Sequence, residues 1–183
     1  MLSRSLRQLI SKPYRRELAT LHRAPRGFGG KGHRWADDVE AIARRYNVRG
    51  HVLDYGCGRN SLAEELRTRR FKTRSYDPAI KLFAGMPKPA DMVVCCDVLE
   101  HVEPETLEGV LSHIADLIQV VGFFVVSTVE TAKTLSDGRQ AHISLHPREW
   151  WIAKFGERFR IRETLDGPAY RPEKQVVAVV VPK

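Results

Sequence analysis

The chain has 183 residues, a hydrophobic share of 43% and a net charge of +8, enough for one domain with a full core. No apolar run approaches the roughly 20 residues of a membrane-spanning helix. Its three cysteines, Cys57, Cys95 and Cys96, include an adjacent pair, which argues against a disulfide framework and for a reducing, cytoplasmic setting.

The charge is unevenly placed. Residues 1–34 hold nine Lys or Arg against one acid, Glu17, so this arm carries the whole excess and residues 35–183 are neutral. Leucines at 2, 6, 9, 18 and 21 make the first 23 residues amphipathic. Three readings stand: a transit-type leader, a basic arm touching a phosphate-bearing partner such as nucleic acid, or a helical extension packed on the domain. Four glycines between Gly27 and Gly32 rule out a helix interior. Phe28, His33 and Trp35 favour a partly ordered lid over a bare linker. The expected division is therefore an arm and lid over 1–34 and a domain over 35–183.

Trp35, Val39, Ile42, Ala43 and Tyr46 fall on one helical face, with Asp37 or Asp38 as the cap. His51-Val52-Leu53 reads as a strand that runs into Asp54-Tyr55-Gly56-Cys57-Gly58. The two glycines let backbone N–H groups face a ligand. Ser61 and Glu64 have the spacing of a reciprocal cap for the next helix. Strand, glycine turn and helix form half of a nucleotide-binding unit. Phe71–Tyr76 is a second strand ending at Asp77, close to the ~20-residue offset of a ribose-binding carboxylate.

The segment between Asp77 and Asp91 holds three prolines and Gly85, which exclude a long helix. Asp91–Cys96 is a continuous apolar strand. Pro104 suits the first turn of a helix whose inward residues are Leu107, Val110, Leu111, Ile114, Leu117 and Ile118, with His113 outward. Gly122–Thr128 is the next strand. A helix follows Pro147 with Trp150, Trp151 and Phe155. Arg160–Thr164 and Gln175–Val181 form a closing hairpin about Asp166-Gly167-Pro168.

Three of these stretches, Val52–Gly58, Tyr76-Asp77-Pro78 and Asp97-Val98-Leu99-Glu100-His101-Val102, together resemble successive motifs of class I S-adenosylmethionine (SAM) methyltransferases. The resemblance covers about residues 50–130. It implies an α/β Rossmann-like fold, mostly parallel, with a terminal antiparallel hairpin strand. It also implies SAM as cofactor, bound by Asp54, Gly56, Gly58, Asp77, Pro78 and Asp97. The chain departs from the pattern twice. Asn60 replaces a third glycine, a residue that tolerates a left-handed backbone. The family's third strand is reduced or absent, so adenine is expected against Leu82, Phe83 or Met86.

Asp97–His101 follows a strand's carboxyl end, where open α/β sheets hold ligands. The loop Ser136–Trp151 follows the adjacent strand. Glu100, His101 and His142 are thereby expected at the methyl acceptor, with a histidine as general base. A second reading has Asp97, Glu100, His101 and His142 hold a divalent metal. That pattern resembles small-RNA 3′-end 2′-O-methyltransferases and some metal-dependent quinone-precursor O-methyltransferases. A third makes these residues structural only. The expected function is methyl transfer from SAM to an oxygen or similar nucleophile of an unidentified substrate. The alternatives are a metal-assisted RNA 2′-O-methyltransferase-like enzyme and a non-catalytic module binding SAM or nucleic acid. A nicotinamide oxidoreductase fits worse, because the third glycine is missing and residues 97–102 are present.

Overall fold

The structure is a computed structural model that describes residues 9–24, 29–166 and 173–183. Six strands form one sheet in the order β2-β1-β3-β4-β6-β5. They are β1 (His51–Tyr55), β2 (Lys72–Tyr76), β3 (Ala90–Cys96), β4 (Ile118–Ser127), β5 (Phe159–Thr164) and β6 (Gln175–Pro182). The first four run parallel. β6 is antiparallel to β4, and β5 to β6. The helices are α1 (Lys12–Arg23), α2 (Ala36–Arg45), α3 (Ser61–Thr68), α4 (Leu107–Leu117) and α5 (Arg148–Arg158).

Alternation along the strands divides the core in two. Leu53, Tyr55, Val93, Cys95, Phe124 and Val126 pack with α4 and α5. Val52, Met92, Val94, Phe123 and Val125 pack with α2 and α3. A sheet covered on both faces needs strands apolar on both sides, and β3, β4 and β6 are. Trp151 and Phe155 are fully buried on α5. Each such side chain contributes roughly 1.5–3 kcal/mol of burial free energy. Trp35 is buried too, edge-on to Phe123 at 6.1 Å; the far end of the glycine-rich stretch is thus anchored in the core.

Among the described residues no strand lies between β2 and β3. Only a short 3-10 turn, Lys81–Phe83, occupies that segment. The third strand, expected to be reduced or absent, is absent from this segment. Its absence leaves β2 at the sheet edge, where Lys72 and Arg74 discourage pairing with another chain.

Several local expectations need correction. His113 is buried, not outward: its Nδ1 lies 3.0 Å from the Tyr55 hydroxyl, which gives the imidazole a polar partner inside the core. Ser61 is the first residue of α3, not its cap. The cap is Asn60 at φ 66°, with no side-chain capping bond. The Asn60 Oδ1 instead accepts the Ser75 hydroxyl at 2.5 Å. The left-handed backbone expected of Asn60 is present. Likewise Asp37 and Asp38 occupy the first turn of α2, which Trp35 precedes as cap. Ile118 begins β4 rather than ending α4. Part of the expected hairpin turn, Gly167 and Pro168, lies outside the described residues, as do Phe28 and residues 1–8.

The amphipathic extension is α1, opened by Ser11, whose hydroxyl accepts the Tyr14 N–H at 3.2 Å. It is packed on the domain. The Tyr14 hydroxyl donates to the His101 carbonyl at 2.6 Å. The Glu17 carboxylate accepts the Ser136 hydroxyl at 2.7 Å, and Glu103 accepts the Ser11 N–H at 2.7 Å.

Candidate active site

The chain reverses its progress across the sheet at β1: β2 lies on one side of it and β3 on the other. Crevices above such switch points, at strand carboxyl ends, are the ligand sites of open α/β sheets. A cavity of about 180 Å³ opens there. Its floor is Asp54–Cys57, its sides are Asp77-Pro78 and Cys96–Val98, and Leu9, Tyr14 and His22 close it from above.

The floor is built from backbone. Gly56 and Gly58 take φ of 81° and 51°, values that side chains with a Cβ rarely adopt. The Gly56 and Cys57 N–H groups donate to the Tyr76 carbonyl at 2.7 and 3.0 Å, tying the loop to the end of β2. A Cβ on Gly58 would stand 2.5 Å from the Gly29 Cα, so this glycine also permits the close approach of the segment above it. The Arg59 N–H donates to the Gly29 carbonyl at 2.9 Å.

Two carboxylates face this floor. Asp77 accepts the Gly58 N–H at Oδ2 (3.0 Å) and the Ala79 N–H at Oδ1 (2.9 Å). Asp54 is 6% exposed, and its Oδ2 has no hydrogen-bond partner among the described residues. Burial, with the charge of Asp77 adding, pushes the Asp54 carboxyl up to about 7. A buried carboxylate oxygen without a partner, bordering a cavity, is a place for a cationic group. SAM carries such a group in its ammonium, and the carboxylate at the end of β2 suits its ribose diol. The residues present therefore fit the cofactor.

This has a pH signature. Asp54 is raised in the fold, so its protonated form favours folding. That contribution is complete below the ordinary carboxylate range and is lost as pH rises through about 7. Binding of a cation runs the other way, because it needs the ionised form. SAM affinity is expected to rise up to about tenfold from pH 6 to 8, with proton release on binding. Asp54→Asn should flatten this dependence, as read by calorimetry in two buffers of different ionisation enthalpy.

Asp97 lines the cavity at φ 56°. Its Oδ2 accepts Arg34 Nη2 at 2.6 Å and Trp35 Nε1 at 3.4 Å. Both side chains of the Arg34–Asp97 pair are more than a third exposed, so solvent screens it to at most about 1 kcal/mol. Asp97 is thus tied to Arg34 and Trp35 at the cavity wall and, among the described residues, stands outside the group expected to hold a metal.

That group is smaller than expected. Among the described residues, Glu100, His101 and His142 each offer a ligand atom, all within 4.8 Å of one another. The two imidazole centroids are 4.8 Å apart. His101 Nδ1 is 2.7 Å from the Ala141 carbonyl, and His142 Nδ1 is 2.6 Å from the Val129 carbonyl. A carbonyl only accepts, so each Nδ1 carries the proton and each neutral ring has its lone pair on Nε2. Burial holds His101 down at about 4 and lowers His142 as well. Glu100 is fully buried; Oε1 accepts the Ser127 N–H at 3.1 Å, and Oε2 has no partner among the described residues. Burial, with Asp97 adding, lifts its carboxyl well above the usual range.

The expected adenine wall is not in this cavity. None of Leu82, Phe83 and Met86 lines it, and Leu82 and Met86 are exposed at 82% and 44%. Leu9, Tyr14, Leu18 and His22 are among the lining residues missing from the expected set. The leucine spacing marks α1 as amphipathic, but no local signal says that its face covers this site.

A mostly parallel sheet with a glycine turn after β1, a carboxylate ending β2 and an acidic loop after β3 is the arrangement of a class I SAM-dependent methyltransferase. The chain belongs to the methyltransferase-domain family, whose sequence model matches residues 23–162. Solved structures share the fold at low identity. A SAM-dependent methyltransferase from Clostridium acetobutylicum matches with a TM-score of 0.60 at 13% identity, covering 84% of this chain and 92% of that one. The 1,6-didemethyltoxoflavin N1-methyltransferase of Burkholderia thailandensis, with S-adenosylhomocysteine (SAH) bound, gives 0.59 at 15%, covering 84% and 79%. The N-methyltransferase NodS of Bradyrhizobium japonicum, also with SAH, gives 0.58 at 13%, covering 92% and 98%. No curated protein matches by sequence. No helix among the described residues is long and apolar enough to cross a membrane.

Proposed function

We propose that this enzyme moves the methyl group of SAM to an oxygen or similar nucleophile of a substrate that meets Glu100, His101 and His142. The observation that carries this reading is the convergence of those three side chains beside the cavity that His101 lines. Asp54, Gly56, Gly58, Asp77, Pro78 and Asp97 bind the cofactor. SAM supplies an electrophilic methyl group on a sulfonium. The protein's own part is to exclude water, align the acceptor and take its proton.

His101 Nε2 is suited to that last task. A hydroxyl that has gained a methyl group is strongly acidic, so even a base held near 4 accepts its proton. His142, less buried, can pass the proton on to solvent. Residues 1–34 act as an arm and lid to the domain of 35–183. The contacts that α1 makes through Ser11, Tyr14 and Glu17 support a packed cover more than a free arm for nucleic acid. The three free cysteines suit a reducing cytoplasm.

One observation favours a second reading. Two imidazoles anchored by carbonyls at Nδ1, beside a buried carboxylate oxygen with no partner among the described residues, are the outer-shell geometry of a divalent-metal site. In that reading Glu100, His101 and His142 hold the ion, and it lowers the pKa of the acceptor hydroxyl. The test is SAH release from an acceptor panel with EDTA or with Mn²⁺, alongside Mn²⁺ binding to wild type and His142→Ala. Turnover indifferent to EDTA supports the general base. Turnover abolished by EDTA, with Mn²⁺ binding lost in His142→Ala, supports the metal. Unchanged turnover in both His101→Ala and His142→Ala removes these residues from the chemistry.

A further inference from the structure

Helix α1 enters the cofactor end of the cavity from outside the sheet. Tyr14, Leu18 and His22 recur at every fourth residue and line it, which places them on one helix face. His22 Nε2 lies 3.7 Å from Asp77 Oδ2, with the two side chains 13% and 7% exposed. Arg15 Nε donates to the Pro78 carbonyl at 2.6 Å. The segment leaving β2, where a fuller sheet would continue into its third strand, is met by α1 instead.

The position of His22 is fixed from the glycine loop. Arg59 Nη2 donates to the carbonyls of His22 (3.0 Å) and Ala24 (2.5 Å). One residue therefore joins the cofactor loop to the last turn of α1.

We infer that His22 is a cofactor-binding residue, its imidazole forming with Asp77 the two sides of the ribose subsite, and that α1 supplies the adenosine wall left out with the third strand. This rests on reading Asp77 as the ribose carboxylate. A separation of 3.7 Å is longer than a hydrogen bond. It is short enough for one diol to meet both groups, one hydroxyl donating to the carboxylate and its neighbour bonding the imidazole.

The test is calorimetric titration with SAH and with 5′-methylthioadenosine, which keeps the adenosine and lacks the amino-acid end. His22→Ala should weaken both ligands about tenfold without changing the ligand-free melting temperature. His22→Gln, which retains a hydrogen-bonding group, should recover most of the affinity. His22→Phe, which fills the space without one, should not. Adding His22→Ala to Asp77→Ala should cost less than it does alone, because the two groups share a ligand. If His22→Ala and His22→Phe bind both ligands as wild type while Asp77→Ala does not, α1 merely covers the site and the inference fails. If Asp77→Ala also binds normally, the reading of Asp77 fails first and takes this one with it.

Discussion

Asp77→Ala is expected to weaken SAM binding by two orders of magnitude or more. The carboxylate stands at the end of β2 and holds the Gly58 and Ala79 amides. Bound to the ribose it would make two further hydrogen bonds. Each bond to a charged group contributes roughly 1.5–3 kcal/mol, and about 1.4 kcal/mol is a factor of ten. The loss of two such bonds exceeds any effect of the surface pairs around the site. Because Asp77 also braces the loop, the ligand-free melting temperature must be measured with the affinity. Asp77→Asn, which keeps an acceptor for the Gly58 amide, separates the two roles: it should preserve the fold and still lose most of the affinity. Wild-type affinity in both variants would mean that the ribose lies elsewhere.

The second large effect is on turnover. His101→Asn is expected to lower kcat by about 10²–10⁴-fold, the usual contribution of a positioned proton acceptor, while SAM affinity stays near wild type. The amide retains a donor for the Ala141 carbonyl, so the loop keeps its brace. In the wild-type protein burial holds His101 near 4, so the imidazole stays neutral through the neutral range. Nε2 is then unprotonated from about pH 5 upward, and kcat at saturating SAM should show no acid limb from this group until pH nears 4. A fall in affinity with kcat unchanged would place His101 in the cofactor pocket rather than at the acceptor.

Much of the backbone around the cavity could be read from short stretches because their chemistry is local. A glycine turn after an apolar strand, and an acid ending the next strand, specify a backbone shape within a few residues of themselves. The prolines at 78, 87 and 89 likewise excluded a long helix before β3, where the third strand was expected to be reduced or absent. What depends on distant partners was not legible. His113 has a polar side chain on a helix, and periodicity alone turns it to solvent. Only the three-dimensional meeting of α4 with β1 provides the Tyr55 hydroxyl that lets it be buried. Ser61 and Glu64 have the right spacing for a cap, but the tight turn puts Asn60 in the left-handed region as the cap, so Ser61 is the first helical residue and caps nothing. The coverage of the site by α1 is the largest omission. An amphipathic helix announces that it has an apolar face, not which surface that face will meet.

The Glu100, His101 and His142 group lies between these cases. Two of its members are adjacent in the chain, and the third is forty-one residues beyond His101. Adjacency of β3 and β4 brings their loops together, so the meeting followed once the strand order was inferred. The separation of Asp97 from that group did not follow. It depends on Arg34 and Trp35, which reach Asp97 from the segment before α2.

The most direct measurement is calorimetric titration of the wild-type protein with SAM and SAH, with NAD as the competing nucleotide ligand. The geometry of Asp54, the glycine loop and Asp77 predicts one site per chain that binds SAM and SAH at micromolar concentration and leaves NAD unbound. Absence of heat with SAM and SAH at millimolar concentration, or preferential binding of NAD, would contradict the assignment of this cavity as the cofactor site.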